Sequence, residues 1–103
     1  MKCNYEEDNE ILKVLLTQDI DTGECKKIRN VIDGYIIKYQ PKKVVLDLSN
    51  VSFMDSSGIG LVMGRYNLAK MFNSKLAICN PNKRIKQVIQ LTNIDKYVEI
   101  MEV

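Results

Sequence analysis

The sequence of 103 residues contains no histidine, and its three cysteines, Cys3, Cys25 and Cys79, form no C-x-x-C pair. The usual ligand sets of a zinc site cannot be assembled without histidine or paired cysteines. The base of a Ser–His–Asp triad is missing for the same reason. We therefore expect no metal, no other cofactor, and three reduced, mostly buried thiols.

Long apolar runs are also absent. No segment approaches the about 18 consecutive apolar residues that a membrane helix needs, and the acidic residues 1–8 lack the apolar stretch of a signal peptide. The net charge of +2 comes from lysines and arginines that are spread along the chain. The sequence thus predicts a cytoplasmic protein that binds neither membrane nor nucleic acid.

The pattern of apolar residues predicts one α/β domain over residues 1–103, large enough to bury a core without metal or disulfide support. We expect a mixed β-sheet of four to five strands packed against amphipathic helices. Short apolar runs predict strands at residues 2–6, 10–17, 44–48, 75–79 and 97–101, with a hairpin turn at 7–9.

Helices are predicted from capping signals and three-and-four spacing of apolar residues. Asp21 and Glu24 have the spacing of a capping box before a helix that ends ahead of Pro41. Asn80-Pro81 is expected to open another helix. Between them, a helix is expected over residues 58–72, with Ser56 or Ser57 as its cap.

The most informative segment is residues 53–60, Phe-Met-Asp-Ser-Ser-Gly-Ile-Gly, where a buried strand leads into that middle helix. It places two hydroxyl groups at a helix N-terminus, which favours a phosphate through its unpaired amides and its dipole. Residues 59 and 61–63 are apolar and point in most directions around the helix axis, so part of this surface should stay exposed. Such a surface is typical of a protein interface.

Gly58 and Gly60 leave two interpretations open. Neither the G-x-G-x-x-G pattern of dinucleotide-binding proteins nor the P-loop pattern is present. The glycines either allow close packing of backbone or leave room for the surface of a partner, and the apolar residues beside them favour the second interpretation slightly.

Two enzyme hypotheses fit poorly. A serine hydrolase needs a general base, and the G-x-S-x-G elbow is absent. Asp21, Asp47 and Asp55 lie at predicted strand ends and two of them could act as a glycosidase pair. A helix cap, a strand end and a turn explain these three carboxylates better, so the chain is predicted not to be an enzyme.

The segment from Ser52 to Tyr66, which includes Phe-Met-Asp-Ser-Ser-Gly and Gly-Arg-Tyr, resembles the phosphorylation-site segment of STAS-domain anti-sigma factor antagonists. Among these anti-anti-sigma factors it is most similar to the sporulation branch. The predicted strands and helices follow the family order over nearly the whole chain. Regulation of a general stress sigma factor or of a transporter is the alternative within the family.

The resemblance implies a switch controlled by phosphorylation. In the family the unphosphorylated protein binds an anti-sigma factor that is a serine kinase, and sigma factor is released. Phosphorylation of the serine that corresponds to Ser57 ends this binding, and a serine phosphatase reverses the modification. The residues that correspond to the docking surface are Asp21, Asp55, Ser56, Ser57, Gly58, Ile59, Gly60 and Met63.

The sequence departs from the family pattern at two places. Gln18 and Asp19 stand where the family usually has glycine and glutamate, so the first strand-to-helix loop is expected to differ in shape. The sequence ends at Val103, where relatives continue into a last helix. We expect one part of the sheet to be less covered as a result.

Overall fold

A computed structural model describes residues 1–20 and 22–103. The elements in chain order are β1 (Lys2–Glu6), β2 (Ile11–Leu15), α1 (Thr22–Tyr39), β3 (Lys43–Asp47), α2 (Ser56–Met71), β4 (Lys75–Cys79), α3 (Lys83–Leu91), a short 3₁₀ turn (Ile94–Lys96) and β5 (Glu99–Met101). The strands form one sheet in the order β1-β2-β3-β4-β5. Among the described strands, β1 and β2 pair antiparallel and the other three neighbouring pairs are parallel. The predicted α/β fold with a mixed sheet is confirmed.

The main core lies between one face of the sheet and the helices. Alternate residues of the three central strands point into it, as period-two side-chain alternation requires. Along α1, Ile28, Ile32 and Ile36 recur every four residues and are almost completely buried. The core residues of the strands are Leu12, Val14, Val44, Leu46, Leu76 and Ile78.

The opposite face of the sheet has a smaller apolar strip formed by Val45, Ala77 and Cys79, with Ile11 and Met101 packed against it. The described helices contribute their buried side chains to the other core, and this strip borders an open cavity of about 610 Å³. The three thiols, all within the described ranges, form no disulfide, and Cys79 is buried. No helix among the described residues has the length and apolarity to cross a membrane.

The parallel arrangement of β2, β3 and β4 decides where the site lies. The carboxyl ends of parallel neighbours meet at one edge of a sheet, and the loops that follow them meet there too. The described residues of the loops after β2, β3 and β4 are 16–20, 48–55 and 80–82. The serine turn of residues 53–60 is therefore placed at the edge where ligands and partners of α/β folds usually bind.

Two predicted helix starts are wrong. Helix α2 begins at Ser56, and its cap is Asp55 rather than either serine. Helix α3 begins at Lys83 and is capped by Asn82. Asn80 instead takes a left-handed backbone conformation with φ 54°. A helix cap needs an extended backbone, so Asn80 is not the cap. The proposed cap Asp21 lies outside the described residues.

An ion pair between the buried Arg65 and the partly exposed Asp33 joins α1 to α2. Arg65 Nε lies 2.7 Å from Asp33 Oδ1, and the Arg65 side chain is only 6% exposed. The Nε–H group of Arg65 is not aligned with Asp33 Oδ1, so charge attraction holds this contact more than a directional hydrogen bond does. Arg65 Nη1 is also buried and has no hydrogen-bond partner among the described residues. Burial lowers the pKa of Arg65, while Asp33 opposes that decrease.

We predict that Asp33→Ala lowers the free energy of unfolding by about 2–3 kcal/mol, because it leaves a buried guanidinium without its counter-charge. Urea denaturation measures this change. The double variant Asp33→Ala/Arg65→Met should recover most of the loss, since an apolar side chain of similar length fills the same space. Equal stabilities for Asp33→Ala and the unmodified protein would contradict the role assigned to the pair.

Candidate functional site

The loop of residues 48–55, which carries the serine turn, is held on one side by Asp19. Asp19 Oδ1 accepts hydrogen bonds from Ser52 N at 2.9 Å, from Ser52 Oγ at 2.9 Å and from Phe53 N at 3.1 Å. These bonds lower the pKa of the Asp19 carboxyl below its usual value, with the Ser52 hydroxyl as the largest cause. Ile20 N also donates to Phe53 O at 3.4 Å. Asp19 therefore anchors the loop through both backbone and side-chain hydrogen bonds.

The same loop is held on its other side by Asn82. Asn82 Nδ2 donates to the carbonyl oxygens of Val51 and Ser52, at 3.3 and 3.1 Å. Asn82 Oδ1 accepts from Ile85 N at 2.8 Å, which caps α3. One side chain therefore starts a helix and anchors the neighbouring loop.

Asp55 starts the helix that carries the serines. Its Oδ1 accepts from Ser57 N at 2.8 Å and from Gly58 N at 3.3 Å, so a carboxylate satisfies the first amides of α2 and complements the helix dipole. The sequence interpretation gave this role to a serine. Because Asp55 caps the helix, neither serine hydroxyl is required for that purpose.

The two serines differ in exposure. Ser56 is exposed, whereas Ser57 is half-buried. Ser57 lines a solvent-open groove of about 440 Å³ between the first turns of α2 and α1. The groove residues are Ser57, Gly60 and Leu61 from α2, and Cys25, Lys26 and Arg29 from α1. Ser57 therefore borders open space beside two cationic side chains.

The structure separates the two interpretations of the glycines. A Cβ atom at Gly58 would lie 2.1 Å from Cγ of the buried Met54 and 3.3 Å from Cγ2 of Ile20. Gly58 therefore permits close packing. A Cβ atom at Gly60 would meet nothing within 4 Å, and this glycine is exposed. Gly60 leaves open surface beside Ser57.

Apolar surface is available beside the serines. Ile59 and Met63 of α2 are half-buried, whereas Leu61 and Val62 point into the core and are at most 4% exposed. Phe53, just before the serine turn, is 45% exposed although its backbone is held by Asp19. The sequence interpretation did not include Phe53 in the docking surface. The sequence did offer a signal for Phe53, because a large aromatic residue in a loop rather than in a strand indicates an exposed contact residue.

The structure brings Asp55, Ser56, Ser57, Gly58, Ile59, Gly60 and Met63 together in the first two turns of α2 and its cap. Asp21, the remaining residue of the predicted docking surface, lies outside the described residues. The carboxylates considered for acid–base chemistry have structural roles where they are described. Asp47 Oδ1 accepts from Ser49 N at 2.9 Å, and Asp55 caps α2.

Comparison with known proteins places this chain in a family. The STAS domain model matches residues 2–103. An anti-sigma F factor antagonist of Paenibacillus polymyxa is 28% identical over 102 residues, which are 99% of this chain and 87% of the relative. An anti-sigma-B factor antagonist of Listeria monocytogenes is 26% identical over 100 residues, covering 95% of this chain and 85% of the relative.

The solved structure of the anti-sigma factor antagonist SpoIIAA in its unphosphorylated form has the same fold, with a TM-score of 0.78 at 24% identity. The match covers 99% of this chain and 87% of that one. The chain belongs to the STAS-domain family, and the predicted resemblance is confirmed. Its relatives are anti-sigma factor antagonists, which are binding regulators, and the expectation that the chain is not an enzyme agrees with this.

We predict opposite effects of alanine at the two glycines. Gly58→Ala should destabilise the fold by about 1–3 kcal/mol, because the new methyl group overlaps Met54. Gly60→Ala should leave the fold intact and stabilise it by about 0.5–1 kcal/mol, because alanine favours a helix and the position is open. Urea denaturation of both variants tests this, and equal effects at the two positions would count against the assignment.

We also predict that Asp19 links stability to pH. Its pKa is lower in the folded protein than the ordinary value of 3.8, so its contribution is present above that value and is lost as the pH falls through the folded pKa. Asp19→Asn should lower the melting temperature at about pH 7. Between about pH 7 and about pH 2, the melting temperature of this variant should fall less than that of the unmodified protein. Asp8→Asn, in the exposed hairpin turn, is the matched control. Identical pH profiles for Asp19→Asn and the unmodified protein would refute the prediction.

Proposed function

We propose that this protein is an anti-sigma factor antagonist whose binding is switched by phosphorylation of Ser57. The unmodified protein binds an anti-sigma factor, and the sigma factor held by that partner is released. Phosphorylation of Ser57 ends the binding. The observation that carries the proposal is the serine turn, in which Asp55 caps α2 and Ser57 borders an open groove.

The names of the relatives support the class of partner. Antagonists acting in the sigma F and sigma B pathways are 28% and 26% identical to this chain over nearly its whole length. The proposal therefore specifies an anti-sigma factor as the partner and leaves the sigma factor to be identified by experiment. Because a sigma factor acts during transcription, the proposed place of action is the cytoplasm.

The proposed partner is also the kinase. The chain has no histidine to activate a serine hydroxyl, and phosphoryl transfer needs a positioned nucleotide, a metal ion and a residue that orients the nucleophile. A kinase partner would bring these groups to Ser57. A serine phosphatase is the second proposed partner, since removal of the phosphate must restore binding.

The docking surface that we propose surrounds Ser57. It consists of Ser56, Ser57, Ile59, Gly60 and Met63 on α2, together with Asp55 at its cap and Phe53 in the preceding loop. Asp21 is included on the basis of the family resemblance alone. Gly58, which the sequence analysis also assigned to this surface, is left out because it is buried against Met54. The apolar members supply contact area, and Gly60 allows the partner to approach the helix closely.

Electrostatics explains how one modification ends binding. A phosphoserine adds about 1.5–2 negative charges, which the amides and dipole at the start of α2 tolerate without refolding. A bound partner would bury that charge next to Asp55 and an apolar patch, which costs several kcal/mol when the charge is not matched. A loss of about 3 kcal/mol weakens binding more than about 100-fold.

We predict that the anti-sigma factor of the same organism, supplied with ATP, phosphorylates this protein at Ser57. Mass spectrometry should locate one phosphate in the peptide that contains residues 56 and 57, and fragmentation should assign it to Ser57. Ser57→Ala should abolish the modification, while Ser56→Ala should retain it. Phosphate found only outside this turn would refute the assignment.

A pair of substitutions separates charge from size. Ser57→Asp should weaken binding to the anti-sigma factor by about tenfold or more, since it places a fixed negative charge in the interface. Ser57→Asn has nearly the same shape without the charge and should bind more tightly than Ser57→Asp. Calorimetric titration measures both affinities, and equal weakening by the two variants would contradict the electrostatic explanation.

A further inference from the structure

The groove beside Ser57 combines a hydroxyl-bearing residue with two cations from a different helix. Lys26 and Arg29 on α1 line the same space as Ser57 and Gly60 on α2. The groove of about 440 Å³ has ample room for a phosphate group, since one water molecule takes up about 30 Å³ in the liquid. The missing side chain at Gly60 keeps the α2 wall open.

Lys26 and Arg29 are placed to act together. They are three residues apart on α1 and therefore lie on the same side of the helix. Both are exposed, and neither takes part in an ion pair within residues 1–20 and 22–103. Lys27, between them in sequence, does not line the groove.

Arg29 also lies close enough to the buried Arg65 for their like charges to repel each other. Burial is the main cause that lowers the pKa of Arg65, the charge of Arg29 lowers it further, and the charge of Asp33 opposes both. Asp33 is already in contact with Arg65. An anion bound near Arg29 would offset this repulsion, because opposite charges at close range favour each other's ionised forms.

We propose that the phosphate on Ser57 is held within the same chain by Lys26 and Arg29. The inference rests on the proposed phosphorylation of Ser57. In that step the γ-phosphoryl group of ATP forms a bond with Ser57 Oγ, the bond to the β-phosphate oxygen breaks, ADP leaves, and the hydroxyl proton passes to the kinase. The new phosphate oxygens then accept hydrogen bonds from the guanidinium of Arg29, which presents a planar pair of donors, and from the ammonium of Lys26.

This arrangement gives the switch a second component. Before phosphorylation, the groove presents the two cations beside the proposed docking surface, and neither forms an ion pair with a described residue. After it, the phosphate occupies the groove and consumes both charges, while the hydrogen bonds hold the modified serine in one position. The phosphorylated form is thereby stabilised without any partner.

The test uses protein in which phosphoserine is installed at residue 57 during translation, so no kinase is needed. Phosphorus NMR then follows the second ionisation of this phosphoserine, whose ordinary pKa is about 6. Nearby cations favour the dianion, so each of Lys26→Gln and Arg29→Gln should raise this pKa by about half a unit relative to the unsubstituted phosphoprotein. Arg29→Lys, which keeps the charge, should raise it less.

Lys27→Gln is the matched control, because it removes the same charge from the same helix without altering the groove. The phosphoserine pKa of Lys27→Gln should equal that of the unsubstituted phosphoprotein. The amides at the start of α2 influence this pKa equally in all variants, so they do not affect the comparison. Equal values in Lys26→Gln, Arg29→Gln and Lys27→Gln would overturn the proposal. The proposal would also be overturned if Lys26→Gln and Arg29→Gln left the phosphoserine pKa unchanged but weakened the binding of the unmodified protein to the anti-sigma factor. The cations would then serve the partner.

The two proposals fail in different ways. If the anti-sigma factor does not phosphorylate Ser57, mass spectrometry reveals it, and the phosphorus NMR result on installed phosphoserine is unaffected. If the cations do not hold the phosphate, the NMR values coincide although Ser57 is still modified by the kinase. Melting temperatures of the unmodified variants, expected to equal that of the unsubstituted protein, verify that the exposed substitutions leave the fold intact.

Discussion

The cap formed by Asp55 is the interaction on which the site depends. Its carboxylate accepts from the first amides of α2, which fixes where the helix begins and which way the two serines point. A serine cap would commit a hydroxyl to the helix start. With aspartate in that place, Ser57 lies in the first turn of the helix, where an added negative charge is tolerated by the helix dipole. A chemical change on Ser57 can therefore alter the surface without requiring the fold to change.

The cap is effective because the loop before it is held in place. Asp19 and Asn82 reach this loop from the neighbouring loops, and each bonds to its backbone. Parallel strands make this possible, because they bring the loops after β2, β3 and β4 to one edge of the sheet. The buried Arg65–Asp33 pair holds α2 against α1 behind the site. These contacts together make the serine surface a fixed feature, which suits a partner that recognises it by shape and charge.

The surface around Ser57 joins apolar area with positive charge. Phe53, Ile59 and Met63 offer contact area to a partner, while Lys26 and Arg29 line the groove on the other side of the serine. The proposed phosphorylation of Ser57 would affect both parts, because it would add a charge that an apolar contact rejects and that the two cations attract. On this proposal, the same modification weakens the complex and stabilises the free modified protein. Both effects favour release, and they act through different residues.

The sequence by itself determined the order and type of the elements, the buried face of α1 and the importance of residues 53–60, because side-chain periodicity and turn chemistry act over a few residues. It placed the starts of α2 and α3 wrongly, since serine, aspartate and asparagine are all good caps and the local pattern does not choose among them. Only the tertiary structure decided that Gly58 packs on Met54 while Gly60 is open. It also decided that Asp19 and Asn82 anchor the serine loop and that Lys26 and Arg29 line the same groove as Ser57. Those relations join residues far apart in the chain, and they exist only once the sheet has brought its loops and helices together.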